Sequence, residues 1–188
     1  MSGAKLSVNP MTDLLSLIKF KDPDTPPVKL AITGGVHAGK TTRALYWIQQ
    51  FRTHGIACHG CLEIAVFDDD GIRIGYDFED ISTGERRSFA RRTINKTHGI
   101  MTRYCFDETV WPWFENAYDR ADLKSVSVFD ELGLLEANGG GMMPVVKRRL
   151  ESDRKYLGLL CVCRESVIEA ISQQLSGFDA IESLTKET

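Results

Sequence analysis

Gly34-Gly35-Val36-His37-Ala38-Gly39-Lys40-Thr41 is the stretch on which the fold turns. It fits G-x-x-x-x-G-K-[ST] and follows directly on Val28-Lys29-Leu30-Ala31-Ile32-Thr33, an apolar, β-prone run that reads as a buried strand. Glycines at both ends let the backbone curl until successive N–H groups point inward, forming a cradle for anionic oxygens. Lys40 adds a cation against the β- and γ-phosphates, and the Thr41 hydroxyl is a ligand for Mg²⁺. The helix that starts near Lys40 directs the positive end of its dipole at the same anion. Gly34 through Thr42 are therefore the expected nucleotide-binding residues.

Working outward, Ala44, Leu45, Ile48 and Phe51 recur at helical spacing and Gly55 stands where a C-terminal cap belongs, which predicts a helix from about Lys40 to His54. Ile56 to Phe67 is β-rich, Asp68-Asp69-Asp70-Gly71 is a turn, and Ile72 to Phe78 alternates again, predicting an antiparallel hairpin. The aspartates of the turn lack the ligand spacing and distant Glu of a calcium loop. Gly84 to Arg92, with Arg86, Arg87, Arg91 and Arg92, is expected to be a mobile loop whose arginines are candidates for clamping phosphates. Helices are predicted over Glu108–Arg120, Pro144–Ser152 and Glu165–Leu175, and a strand over Tyr156–Cys163.

A second motif, Ser125-Val126-Ser127-Val128-Phe129-Asp130-Glu131, is a β-prone run ending in two carboxylates, the pattern of a Walker B strand. Such a strand delivers Asp130 to the edge of the phosphate site, where its charge holds the Mg²⁺ shell. Glu131 is then placed to orient and deprotonate an attacking water. Lys40 and Glu131 are the candidate catalytic residues, and Thr41 and Asp130 the candidate metal ligands.

Composition narrows the class. The 188 residues carry a net charge of -3 and 43% hydrophobic content, enough for one domain with a proper core. The negative balance argues against a general nucleic-acid or anionic-membrane binder, which needs a basic field. No apolar run approaches the ~20 residues that span a bilayer, and no signal segment opens the chain, so a cytoplasmic location is expected. The five cysteines read as reduced thiols, and Cys161 and Cys163, along the predicted strand, are expected to face opposite sides of the sheet. Cys58-His59-Gly60-Cys61 could begin a zinc site, but no second ligand pair matches it.

Guanine-specific proteins of this kind read the base with N-K-x-D. Asn95-Lys96-Thr97-His98 lacks the Asp, so tight guanine selectivity is not expected. The organisation expected is an N-terminal extension, residues 1–27, with a short helix over Met11–Phe20; a nucleotide-binding domain, residues 28–177; and a polar, mobile tail, residues 178–188. Residues 11–20 and 86–92 are the candidate contacts for a protein partner.

Ile32-Thr33-Gly34 to Thr42, Gly60-Cys61-Leu62-Glu63, Arg73-Ile74-Gly75-Tyr76-Asp77, Tyr104 and Asp130-Glu131-Leu132-Gly133-Leu134-Leu135-Glu136 together resemble the small nucleoside-triphosphatases known from thermophiles and as cancer-related NTPases. The resemblance runs from about Val28 to Cys163. It implies a three-layer α/β domain of the RecA-like P-loop division, with a mostly parallel sheet and a β-hairpin insertion. It further implies slow, Mg²⁺-dependent hydrolysis of ATP, GTP and other nucleoside triphosphates. Glu63 and Glu136 match acids that recur in the family, with no chemical step attached. His37 stands where glycine is frequent, Leu134 where lysine is, and Cys61 where an aromatic is common. A nucleotide-dependent switch is the alternative reading, and a small-molecule or nucleoside kinase with an arginine lid the third.

Overall fold

The structure, a computed structural model, describes residues 14–22, 25–94, 101–120, 124–151 and 156–185. In chain order its elements are helix α1 (Leu14–Lys19), strand β1 (Val28–Gly34), helix α2 (Lys40–Thr53), strands β2 (Ala57–Phe67), β3 (Arg73–Asp80), β4 (Arg86–Ile94) and β5 (Met101–Phe106), helix α3 (Trp111–Asp119), strand β6 (Ser125–Leu132), helices α4 (Leu134–Ala137) and α5 (Met143–Glu151), strand β7 (Gly158–Arg164), helix α6 (Ile168–Gln174) and strand β8 (Ala180–Leu184). They fall into two units. One takes the chain up to Cys58 and from Ala121 onward, and the other is His59–Arg120.

In the first unit β6 pairs with β7, β7 with β1 and β1 with β8, all parallel. Strands buried on both faces read as continuous apolar runs, and Leu30, Ala31 and Ile32 of β1 and Leu159 to Cys163 of β7 accordingly have no exposed surface. Helix α2 follows β1 and buries Ala44, Trp47, Ile48 and Phe51. In α1, Leu14, Leu15 and Ile18 are buried and Phe20 beyond it is exposed. Ile18 occupies the space beside Gly158, where a Cβ would collide with it.

Two expectations are corrected in this unit. The stretch 178–188, expected as a mobile polar tail, contains strand β8. Its Leu184 pairs in register with Gly34, and Glu182 accepts hydrogen bonds from Arg43 (2.7 Å) and Trp47 (2.8 Å) of α2. A Glu in a short run reads as tail, but here the carboxylate is the anchor that fastens an edge strand to the helix after the loop. Cys161 and Cys163, expected on opposite faces of the sheet, stand two residues apart on β7 and therefore share a face.

The second unit is an antiparallel meander in which β2 pairs with β3, β3 with β4 and β4 with β5. The hairpin predicted around Asp68–Gly71 is present: Asp68 caps its own turn by accepting the N–H groups of Asp70 and Ile72. Phe78, Phe89, Trp111 and Phe114 form an aromatic cluster, with Phe78 and Phe89 stacked at 4.1 Å between centroids. The third correction lies here. Arg86 to Arg92, expected as a mobile loop, belong to strand β4, and the arginines have cross-strand or neighbouring partners: Arg86 with Glu79, Arg87 with Glu85, Arg91 with Asp77 and Arg92 with the Arg73 carbonyl. Pairing with β3 and β5 satisfies the backbone, and alternation gives each guanidinium a neighbour, so charge density did not mean a loop. Asn95 to His98 lie outside the described residues.

Candidate nucleotide site

The first unit brings the ends of three adjacent parallel strands together. β1 ends at Gly34, β7 at Arg164 and β6 at Leu132, and Gly34 pairs in register with Arg164. In open parallel sheets the carboxyl ends of the strands are where ligands bind, because the loops and helix N-termini gather there.

Residues Gly34 to Gly39 link β1 to α2 as a tight loop, with Ala38 N–H donating to the Gly35 carbonyl at 3.2 Å. Gly39, before the first turn of α2, has φ 79°, a left-handed conformation open to glycine without penalty. His37 adopts φ 63° in the same loop. The backbone thus takes the glycine-like conformation even though a side chain is attached, at a cost of about 1–2 kcal/mol. A Cβ at Gly35 or Gly39 would meet no atom within 4 Å, so open space lies over both positions of the cradle. Lys40 is half-buried and donates from Nζ to the Gly35 carbonyl at 3.1 Å, which holds its ammonium over the loop. Val36 projects from the loop, 67% exposed.

Thr41, in the first turn of α2, donates its hydroxyl to Asp130, with Oγ1 3.2 Å from Oδ2 and 3.4 Å from Oδ1. Asp130 is 1% exposed at the end of β6. The two expected metal ligands are therefore adjacent, and their oxygens are of the hard type that magnesium takes. Mg²⁺ in nucleotide sites is held by one or two protein oxygens plus phosphate, and a hydroxyl and a carboxylate side by side fit that requirement. The described residues hold no cluster of three or more His, Cys, Asp or Glu suited to a metal.

The register between β6 and β7 slips between Phe129 and Leu132: Phe129 pairs with Cys161 and Leu132 with Cys163. One extra residue is therefore accommodated on β6 at Asp130-Glu131, and Glu131 has φ 62°. This bulge breaks the alternation that would send consecutive side chains to opposite faces. Glu131 accepts from Arg164 Nε at 2.7 Å. Arg164 carried no signal in the sequence; a basic residue at a strand end is ordinary there, and only the pairing of β7 with β1 and β6 marks it.

Glu136 has a place as well. Its buried carboxylate accepts the N–H of Gly133 at 2.8 Å and of Met142 at 3.1 Å, which closes the segment after β6 into a fixed loop around α4. Gly139 and Gly141 both adopt positive φ in that loop. Leu134 and Leu135 are exposed at 66% and 54%.

Glu63 is on β2 in the second unit, near Tyr76. Burial is the main cause that raises the Tyr76 hydroxyl, with Tyr104 and Glu63 adding to it. Cys58 and Cys61 are three apart on β2, on opposite faces of the strand, and both are buried. Burial pushes Cys58 up to about 12 and Cys61 also upward, so both are neutral thiols at ordinary pH.

A parallel α/β sheet, a glycine loop between strand and helix with its lysine, and an acid beside the first helical threonine define a P-loop nucleotide-binding fold. A sequence profile described as NTPase matches residues 29–186, and the chain belongs to that family of P-loop NTPases. The crystal structure of THEP1 from the hyperthermophile Aquifex aeolicus has a similar fold, with a TM-score of 0.59 over 84% of this chain and 90% of that one at 18% identity. Among curated proteins none matches this sequence. Among the described residues, no helix is long and apolar enough to cross a membrane.

Proposed function

We propose that this chain is a Mg²⁺-dependent nucleoside-triphosphatase that converts NTP and water to NDP and phosphate with broad tolerance of the base. The observation that carries the reading is the Thr41–Asp130 contact at 3.2 Å beside a loop over which Lys40 is held. Loop amides from Gly34 to Thr42 would bind the phosphates, with Lys40 neutralising the charge that builds on the transferring group. Thr41 and Asp130 would hold Mg²⁺, which would supply charge neutralisation on the phosphates. Glu131, next to Asp130 on the bulge, would orient a water and accept its proton. Base tolerance is what the resemblance to the family implies, and Asn95–His98 lacks the Asp of a guanine-reading N-K-x-D segment.

The kinase reading drew on Arg86–Arg92 as a lid, and those arginines stand on β4 with partners of their own. The switch reading drew on residues 11–20 or 86–92 as the partner contact; in α1 Leu14, Leu15 and Ile18 are buried, and Arg86, Arg87 and Arg91 have partners within their own unit. Hydrolysis is therefore the reading that the side chains support best.

The test is phosphate release from ATP, GTP, CTP and UTP with and without Mg²⁺, beside calorimetric nucleotide binding. Lys40→Ala is expected to abolish tight binding. Glu131→Gln is expected to keep binding and lose about a hundredfold or more in turnover, as is usual for a lost general base. Undiminished turnover in Glu131→Gln would remove that residue from the mechanism. Absence of any Mg–nucleotide complex with the folded wild type would end the proposal.

A further inference from the structure

Arg164 ends β7 and Lys40 opens α2 after the loop that follows β1, and each cation is held by a protein acceptor: Lys40 by the Gly35 carbonyl and Arg164 by the Glu131 carboxylate. Arg164 pairs in register with Gly34, so it leaves the sheet one strand away from the first residue of the phosphate loop. Its guanidinium passes close to Gly133, where a Cβ would stand 3.5 Å from Nε. The Arg164 side chain is 49% exposed and that of Glu131 23%. A half-exposed ion pair is a weak contact, because water competes for both partners. A phosphate offers more charge than a carboxylate and an oxygen geometry that a guanidinium matches with two parallel hydrogen bonds.

We propose that Arg164 is the residue by which this site distinguishes a triphosphate from a diphosphate: its guanidinium exchanges Glu131 for the γ-phosphate when NTP binds. The inference rests on the reading of the site as an NTP hydrolase and adds a specificity-determining residue to it. The exchange has two effects. It places a second cation on the group that is transferred and then released, beside Lys40. It also frees Glu131 Oε1, which accepts from Arg164 Nε, to accept from water instead. Glu131 is then competent as a base only when a γ-phosphate is present. No bond is made or broken in the exchange; only hydrogen-bond partners change.

The experiment compares the affinities of Mg²⁺ with a non-hydrolysable NTP analogue and with NDP for wild type, Arg164→Ala and Arg164→Lys. Arg164→Ala is expected to lose about tenfold or more of the NTP-over-NDP preference, the scale of one charge-assisted hydrogen-bond pair, with NDP affinity unchanged. Arg164→Lys, which keeps the charge and loses the fork, recovers part of the preference. A preference in Arg164→Ala equal to that of wild type overturns the proposal, since a residue that merely tethers Glu131 would lower turnover without moving the ratio. Equal losses for NTP and NDP overturn it too. Thermal unfolding of each variant is followed in parallel, and Arg164→Gln replaces the alanine variant if the latter does not fold. A wild type that binds neither nucleotide fails the hydrolase reading, an outcome separate from any effect of Arg164.

Discussion

Gly141 lies so close to Glu136 that a Cβ on it would occupy the space of the Glu136 carboxylate. The same carboxylate accepts the N–H groups of Gly133 and Met142, so Glu136 serves as a hub for the loop that follows Asp130 and Glu131. The glycine at 141, with φ 55°, is what leaves the hub its room.

Gly141→Ala is therefore expected to displace the carboxylate and free two buried N–H groups. Left-handed strain and the lost hydrogen bonds together predict destabilisation of about 2–4 kcal/mol. Urea unfolding of the variant measures it, and a change below about 1 kcal/mol would mean that the loop relaxes around the methyl group.

His37 holds φ 63° at the tip of the phosphate loop, where glycine would carry no steric cost. His37→Gly removes that strain of about 1–2 kcal/mol but adds the ~0.5–1 kcal/mol of extra unfolded-state freedom that glycine brings. A net gain of up to about 1.5 kcal/mol is expected, together with an equal or higher rate of phosphate release because the loop closes more freely. A variant less stable than wild type by more than 1 kcal/mol, on the same ~1 kcal/mol scale, would assign the imidazole a contact of its own.

Burial raises Cys58 and Cys161 from 9.0 to about 12 and Tyr156 from 10.0 to about 12. The folded state therefore keeps these protons at a pH where the unfolded chain has released them. Stability from these groups is fully present below pH 9, and it falls as pH rises from 9 towards 12, since the unfolded state then binds fewer protons. Thermal unfolding midpoints across that range are expected to drop steadily, and Cys161→Ala to lessen the slope. A flat profile would show that the thiols ionise in the folded state as readily as in the unfolded one.

The phosphate loop was legible because its causes are local: glycines at Gly34 and Gly39, a lysine and a threonine at set spacing, an apolar strand before and a helix after. Strand β6 and its terminal acids were legible for the same reason. β4 was not, since arginines within a glycine-containing stretch carry the composition of a loop, and only pairing with β3 and β5 makes them a strand. Nor was β8, in which Glu182 belongs because Arg43 and Trp47 receive it. Glu136 was visible as a residue but not as a hub, because its partners at Gly133 and Met142 come from turns that no periodicity announces.

From residue order alone came the anion cradle, its cation, its hydroxyl and the acid expected to face them, because spacing along a strand–loop–helix unit is a property of a short segment. Tertiary structure decided which residues stand around that cradle. The bulge at Asp130-Glu131 exists only against β7, and Arg164 meets Glu131 only because β7 lies between β1 and β6. The physical reason is that backbone conformation is set within a few residues, whereas the partner of a side chain at a strand end is set by which strands pair and in what register.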